Sequence, residues 1–523
     1  MTSIPALAAA AAQQHGDRPA VVDGDTCFTY EELVEEARTF AAALVASGIE
    51  PGDRVAIWAP NSADWVVALL GLLGAGAVLV PVNTRFKGVE ASSILSRTRA
   101  KALVTVTDFL DTDYLALLDA ADAELPELDT IVVARGPARS RGVAWAEFLA
   151  RATASSREEA DRRRADVSAD YPSDILFTSG TTGVPKGVVN THGRTLKVAT
   201  DWVAMTGLRA GDRYLMVNPY FHMFGLKAGI LASIAAGATM LPEPVFDVDR
   251  ALARVAAEQV TVLPGAPTLY QAILDHPDRD GYDLSSLRIA VTGAADIPVE
   301  LIRRINEELP FSLVMAGYGL TEAGTASGTG PDDDVETVAT TVGRARPGFE
   351  IRIVDPASGD DVPQGETGEV LLRGPSVMAG YLDDPDATAQ VLSEEGWLRT
   401  GDLGTLAENG LLRIVGRIKD MFIVGGFNAY PAEIENQLLQ HPEIKQAAVI
   451  GIPDDRLGEV GMAFLVTKSG DPAAADEILA WCREQMANYK VPRRIEILDE
   501  LPLNATGKVE KMALKARVVG SAG

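Results

Sequence analysis

The sequence predicts an α/β protein: a large N-terminal part of doubly wound α/β subdomains with a small β-barrel-like subdomain, then a small α+β domain. Three observations carry this. Before residue 175, helical stretches alternate with short apolar strands, the pattern of a sheet covered on both faces. From about Thr341, short strands separated by Gly, Pro and Asp turns take over. A chain of 523 residues also exceeds what one core supports, so several subdomains are required.

Each element has its own signal. Tyr30 to Ala46 has helical spacing, Gly48 follows, and Val55-Ala56-Ile57-Trp58 reads as a strand. Trp65 to Val82 is a run of eighteen residues without a charge, near the length of a membrane span. Gly71, Gly74 and Gly76 interrupt it, so it reads as a buried helix, a break and a buried strand at 77–80. The alternation returns at Arg250–Val262 and Leu287–Thr292. Ile351–Val354, Gly368–Leu372 and Leu411–Val415 are the short strands of the β-rich part. After Gly416 comes the dense segment Arg417-Ile418-Lys419-Asp420, then a tail of domain size. The expected division is therefore 1–416, a junction at 417–420, and 421–523.

The net charge of −26 excludes the basic surface that nucleic acid or an anionic membrane requires. Two distant cysteines, Cys27 and Cys482, give no disulfide framework and no zinc spacing, which fits a reducing cytoplasm.

One segment dominates the chemistry. Residues 177–187, Phe-Thr-Ser-Gly-Thr-Thr-Gly-Val-Pro-Lys-Gly, follow the apolar run 174–177. Glycines admit close backbone approach, and hydroxyls, main-chain N–H groups and an ammonium make a phosphate cradle. The gap before a Gly-Lys-Ser/Thr triplet that marks a Walker loop is missing. A solvated turn is the ordinary alternative, and the accompanying motifs weigh against it. Pro219–Gly225 surrounds His222 with aromatics; Gly293-Ala294-Ala295 ends an apolar strand; Gly317-Tyr318-Gly319-Leu320-Thr321-Glu322 joins an aromatic, a hydroxyl and a carboxylate. Arg399-Thr400-Gly401-Asp402-Leu403 places an aspartate in a glycine turn, and 502–508 sets Lys508 after Gly507 on a loop. An aspartate suits ribose hydroxyls, a tyrosine face suits adenine, one hard carboxylate suits Mg²⁺, and lysines neutralise phosphates. Singly, each has a structural explanation such as a capped turn or a surface lysine.

In this order, spanning residues 177 to 508, the motifs resemble those of the acyl-adenylate-forming superfamily, whose members include acyl-CoA synthetases. The resemblance implies ATP, Mg²⁺ and coenzyme A as cofactors, and a small carboxylic acid as substrate. It implies that Thr178, Ser179, Gly180, Thr181, Thr182, Gly183 and Lys186 hold the β- and γ-phosphates. Tyr318 would stack near adenine beside Gly293 and Ala294, Thr321 would touch the α-phosphate, and Glu322 would hold Mg²⁺. Asp402 and Arg417 would bind ribose, and Lys508 would bridge the attacking carboxylate and α-phosphate. Lys419 occupies the hinge position at 417–420, about which the small domain would rotate so that the Gly425-Gly426 turn faces the pantetheine arm. His222 is similar to the histidine that gates between acyl and thiol tunnels.

Two departures are mild, Asn504 where a threonine is usual and Lys511 where an arginine is frequent; Ile423 stands where several relatives carry lysine, so no second catalytic lysine is expected there. Histidine rather than aspartate near position 222 argues against an amino-acid substrate. The stretches Asn218–Ile230, Val291–Ile297 and Val424–Pro431 resemble an actinobacterial group of CoA ligases acting on the propanoate of a methylhydrindanedione left by sterol degradation. Fatty acids and aryl acids are the alternatives, and loading of a carrier protein is a more remote one. A homodimer is compatible with this reading, and no membrane span is expected.

Overall fold

A computed structural model describes residues 2–139, 141–178, 185–293, 299–425, 427–454, 456–470, 474–504 and 507–520. Its largest sheet has eight strands in the order Gly380–Tyr381, Lys186–Thr191, Pro172–Thr178, Val78–Pro81, Arg54–Trp58, Ala102–Val106, Thr130–Arg135 and Gly142–Ala144. The pairings from Pro172–Thr178 through to Gly142–Ala144 are parallel. Val55, Ala56, Ile57 and Trp58 are fully buried, as a central parallel strand covered on both faces must be.

The uncharged run resolves as expected into the helix Ala63–Gly74 and the strand Val78–Pro81. No helix among the described residues is long and apolar enough to cross a membrane. Gly71 has a packing reason. A Cβ there would stand 2.7 Å from the Ala37 carbonyl oxygen, so glycine lets this helix press against the helix Tyr30–Ala46.

The second sheet system begins with Arg213–Met216, Thr239–Pro242, Pro19–Asp23 and Thr26–Thr29, in that order. Val262 bridges Tyr214 and Ile289, joining it to Ile289–Gly293, Leu313–Leu320, Gly324–Gly328 and Arg344–Ala345. The N-terminal hairpin thus pairs with a strand more than two hundred residues away, Val21 opposite Met240.

The β-rich segment differs in one respect from expectation. Glu350–Val354, Gly368–Arg373, Leu398–Leu406 and Leu412–Arg417 form an antiparallel sheet whose two end strands do not pair with each other, so no barrel closes. Four strands are too few to wrap around a filled interior.

The C-terminal part has its own sheet. Phe427–Ala429, Phe422–Val424, Gly458–Thr467 and Ile444–Asp454 lie side by side, with Arg494–Ile497 parallel to Gly458–Thr467. It also has its own apolar centre, which includes Phe422, Val449, Phe464, Leu465, Cys482 and Leu514. The fold is thus the expected large α/β part followed by a small α+β domain.

Candidate active site

The phosphate-loop hairpin has a defined frame. Strands Pro172–Thr178 and Lys186–Thr191 are antiparallel, with Thr178 opposite Lys186. Residues Ser179, Gly180, Thr181, Thr182 and Gly183 lie outside the described residues, as do Ala294 and Gly426. Arg97 reaches both shoulders of the hairpin. Its Nη1 donates to the Pro185 carbonyl at 2.6 Å, and its guanidinium lies 5.2 Å from the Phe177 ring centre. Lys186 points inward, its Nζ standing 4.9 Å from the ring centre of Tyr381.

Beneath this hairpin lies a buried charge pair. Asp174 accepts from Ser173, Asn190 and Thr195, and its Oδ1 is 3.3 Å from Lys227 Nζ. Lys227 is 1% exposed; burial pushes its ammonium pKa down, while the Asp174 charge and hydrogen bond oppose that. Such a pair survives burial because every carboxylate lone pair finds a donor. Lys227 belongs to Phe224–Leu231, which winds as a π-helix. Single π turns are frequent at functional sites. Gly225 starts it against the backbone, where a Cβ would fall 2.2 Å from the Pro219 carbonyl oxygen.

His222 faces the cleft just before this π-helix. Its Nδ1 accepts from the Phe224 N–H at 3.2 Å, so the neutral ring carries its proton on Nε2. Burial, and then the positive charge of Lys508, push its pKa down to about 3. Solvent still touches the ring at the mouth of the cleft, yet protein surrounds it closely enough to exclude the charged form.

Tyr318, Asp402 and Arg417 meet. Tyr318 Oη donates to Asp402 Oδ2 at 2.6 Å, and Arg417 Nε donates to Asp402 Oδ1 at 3.1 Å. Asp402 is not in a turn, as its flanking glycine suggested, but inside the strand Leu398–Leu406, directly opposite Arg417 on Leu412–Arg417. Gly401 has φ +71, so the glycine bends the strand without ending it. Burial pushes the Asp402 carboxyl pKa up, while the Arg417 charge and the Tyr318 hydrogen bond hold it down.

Gly293 pairs with Gly317 on the neighbouring strand, and a Cβ at 293 would lie 2.7 Å from the Gly317 carbonyl oxygen. Tyr318 follows on that strand, and Thr321 and Glu322 occupy the turn beyond it. Burial raises the Glu322 carboxyl pKa, opposed by a hydrogen bond from Tyr381 Oη at 3.1 Å. Among the described residues, no cluster of three or more His, Cys, Asp or Glu side chains could hold a metal alone. One desolvated carboxylate beside a phosphate loop fits Mg²⁺ instead, which takes few protein ligands and completes its shell with phosphate oxygens and water.

The described residues of the C-terminal loop touch the large part. Asn504 Oδ1 accepts from the Lys508 N–H at 3.0 Å and the Asn504 N–H donates to the Lys508 carbonyl at 2.8 Å, so the substituted asparagine builds the turn itself. Arg85 donates to the Leu503 carbonyl at 3.1 Å, and Gly507 sits against Ala266 and Thr268. The Lys508 charge acts on both His222 and Asp402. Lys419, by contrast, is exposed in the turn after Leu412–Arg417, and Gly425, at φ +58, donates its N–H to the Leu457 carbonyl away from this cleft. Sequence reasoning passed over Arg97, Lys227 and Tyr381; only Tyr381, beside a glycine at the start of a Pro-Asp-Ala-Thr helix, lay near a recognisable local pattern.

The antiparallel strands that pair Thr178 with Lys186, the tyrosine–aspartate–arginine cluster, and Lys508, whose charge acts on His222 and Asp402, belong to an adenylate-forming enzyme. The chain belongs to the AMP-binding enzyme family, whose model matches residues 8–382, with the family's C-terminal domain matching 433–508. Within the acyl-adenylate-forming superfamily it lies on the acyl-CoA synthetase branch. It is 48% identical over 517 residues to a 7a-methyl-1,5-dioxo-octahydro-1H-inden-4-yl propanoyl:CoA ligase of Rhodococcus jostii, covering 98% of each chain. A ligase of the same name from Mycobacterium tuberculosis is 47% identical, with 98% of this chain and 99% of that one covered. The crystal structure of an anthranilate CoA ligase in complex with anthranoyl-AMP superposes with a TM-score of 0.91 at 29% identity, covering 99% of this chain and 98% of that one.

Proposed function

We propose that this chain is an ATP-dependent acid–CoA ligase acting on a propanoate carried by a bicyclic, steroid-derived ring system. The convergence of Lys508 with His222 and Asp402 carries the reading, because it brings the terminal cation to the nucleotide cleft. Near-half identity along the whole chain to two ligases of that name supports the acid.

In the first half-reaction a carboxylate oxygen bonds to the α-phosphorus of ATP as the bond to the bridging oxygen breaks, releasing pyrophosphate. Two anions must approach each other, so catalysis is positioning and charge neutralisation. Thr178, Lys186 and the hairpin residues 179–183 hold the β- and γ-phosphates. Tyr318 lies along adenine, Asp402 and Arg417 take the ribose hydroxyls, and Thr321 touches the α-phosphate. Lys508 bridges the two reacting anions. Glu322 would hold Mg²⁺, which would neutralise part of the charge on the phosphate oxygens. His222 stays neutral, so it adds no charge to the acyl pocket. In the second half-reaction the thiol sulfur of CoA bonds to the acyl carbon as the bond from that carbon to the AMP phosphate oxygen breaks, AMP departing and the thiol proton passing to solvent. Residues 417–420 act as the hinge between 1–416 and 421–523, with Lys419 at its centre and the Gly425-Gly426 turn then facing CoA. Such substrates, and two unpaired cysteines, support a cytoplasmic location.

The deciding experiment measures CoA-dependent pyrophosphate release against linear, aromatic and polycyclic propanoates. The expected result is the highest kcat/KM with the bicyclic dione. A preference for straight-chain or aryl acids removes the steroid assignment, and no release with any acid removes the ligase reading.

A further inference from the structure

Tyr381 stands between the two charges assigned to the triphosphate and its metal. It lies on the strand Gly380–Tyr381, which pairs antiparallel with Lys186–Thr191, Tyr381 opposite Val188. Leu382 N–H donates to the Gly187 carbonyl at 2.7 Å and Ala379 N–H to the Val189 carbonyl at 2.9 Å, so this edge is tied to the phosphate hairpin. Met378 N–H donates to the Glu322 carbonyl at 2.6 Å, so the same short segment also grips the carboxylate's backbone. The side chain repeats this double engagement. The ring face receives the Lys186 ammonium at 4.9 Å, and the hydroxyl donates to Glu322 Oε1 at 3.1 Å.

Opposite charges this close in a desolvated cleft attract strongly. Left alone, the ammonium would fold onto the carboxylate, neutralising both and covering the oxygen a metal needs. The tyrosine gives each charge a different partner: a quadrupole face for the cation and an O–H for the anion. No direct ion pair joins Lys186 to Glu322 among the described residues.

We propose that Tyr381 is a positioning residue that keeps Lys186 and Glu322 apart, ready for the triphosphate and for Mg²⁺ respectively. This rests on the ligase reading above. The test uses the full chain, Mg²⁺-dependent ATP binding by titration calorimetry beside acid-dependent ATP–pyrophosphate exchange, and the variants Tyr381→Phe and Tyr381→Leu, with binding expected to shift as exchange does. Tyr381→Phe keeps the ring and loses the hydroxyl. It should raise the Mg²⁺ concentration for half-maximal exchange about tenfold while KM for ATP at saturating Mg²⁺ stays within about twofold. Tyr381→Leu loses both partners and should also raise KM for ATP about tenfold. Equal loss of kcat in both variants with unchanged Mg²⁺ and ATP half-saturation would mean a merely structural role and overturn the proposal. So would two variants indistinguishable from wild type. Failure of the wild-type chain to catalyse exchange with any acid would instead strike the ligase reading itself.

Discussion

Tyr318 Oη donates a 2.6 Å hydrogen bond to Asp402 Oδ2, joining the end of one sheet to the middle of another across 84 positions of chain. The bond fixes the tyrosine ring and gives a buried carboxylate one of its two named donors. Aspartate here would otherwise favour its neutral form, because burial pushes its pKa up.

Tyr318→Phe keeps the ring and removes that donor. A buried charged acceptor left short of a partner costs about 1–3 kcal/mol. KM for ATP should rise about tenfold with a smaller change in kcat, measured by pyrophosphate release. An unchanged KM would detach Tyr318 from the nucleotide.

Lys508→Ala should lower acid-dependent ATP–pyrophosphate exchange by on the order of a hundredfold or more, the usual cost of losing one oxyanion-stabilising group. Thioester formation from synthetic acyl-adenylate should persist, since that step no longer joins two anions. Near-normal exchange would show that the lysine facing His222 and Asp402 does not serve the first half-reaction.

Lys419→Pro separates the two half-reactions in the other direction. Proline locks φ and restricts Ile418, whose N–H already donates to the Gly401 carbonyl at 2.9 Å. Exchange should stay within about twofold of wild type while overall CoA-thioester formation falls at least tenfold. Parallel loss of both would argue against 417–420 as a hinge.

The pH dependence of stability has a named source in His192. Burial pushes its pKa down to about 4, and its Nδ1 accepts from the Ile4 N–H at 3.3 Å. Between about pH 6.5 and 4 the unfolded chain therefore binds the proton that the folded chain refuses, so stability falls as pH drops through that window. The loss approaches about 3 kcal/mol below pH 4. His192→Asn keeps an acceptor without titrating, and its urea midpoint should fall less between pH 7 and 4.5 than that of wild type. Identical pH slopes would assign the effect elsewhere.

Much of this was legible beforehand because the signals are local. The helix Tyr30–Ala46 and the strands Arg54–Trp58 and Glu350–Val354 follow hydrophobic spacing bounded by caps and glycines, which a linear reading sees directly. The glycine- and hydroxyl-rich segment 177–187 stands out by composition. Asp402 was misplaced into a turn because Gly401 looks like a terminator, whereas its positive φ only bends a continuing strand. The barrel expectation failed because strand count and closure depend on pairing between distant segments.

By itself, the sequence determined the class: the order of strands and helices and the motifs between residues 177 and 508 are all written in adjacent residues. Only the tertiary structure decided the partnerships, among them Asp402 against Arg417, Lys227 beneath Asp174, and Tyr381 between Lys186 and Glu322. The physical reason is range. Propensity and periodicity act over a few residues, while charge pairing in a buried cleft depends on which distant strands share a register.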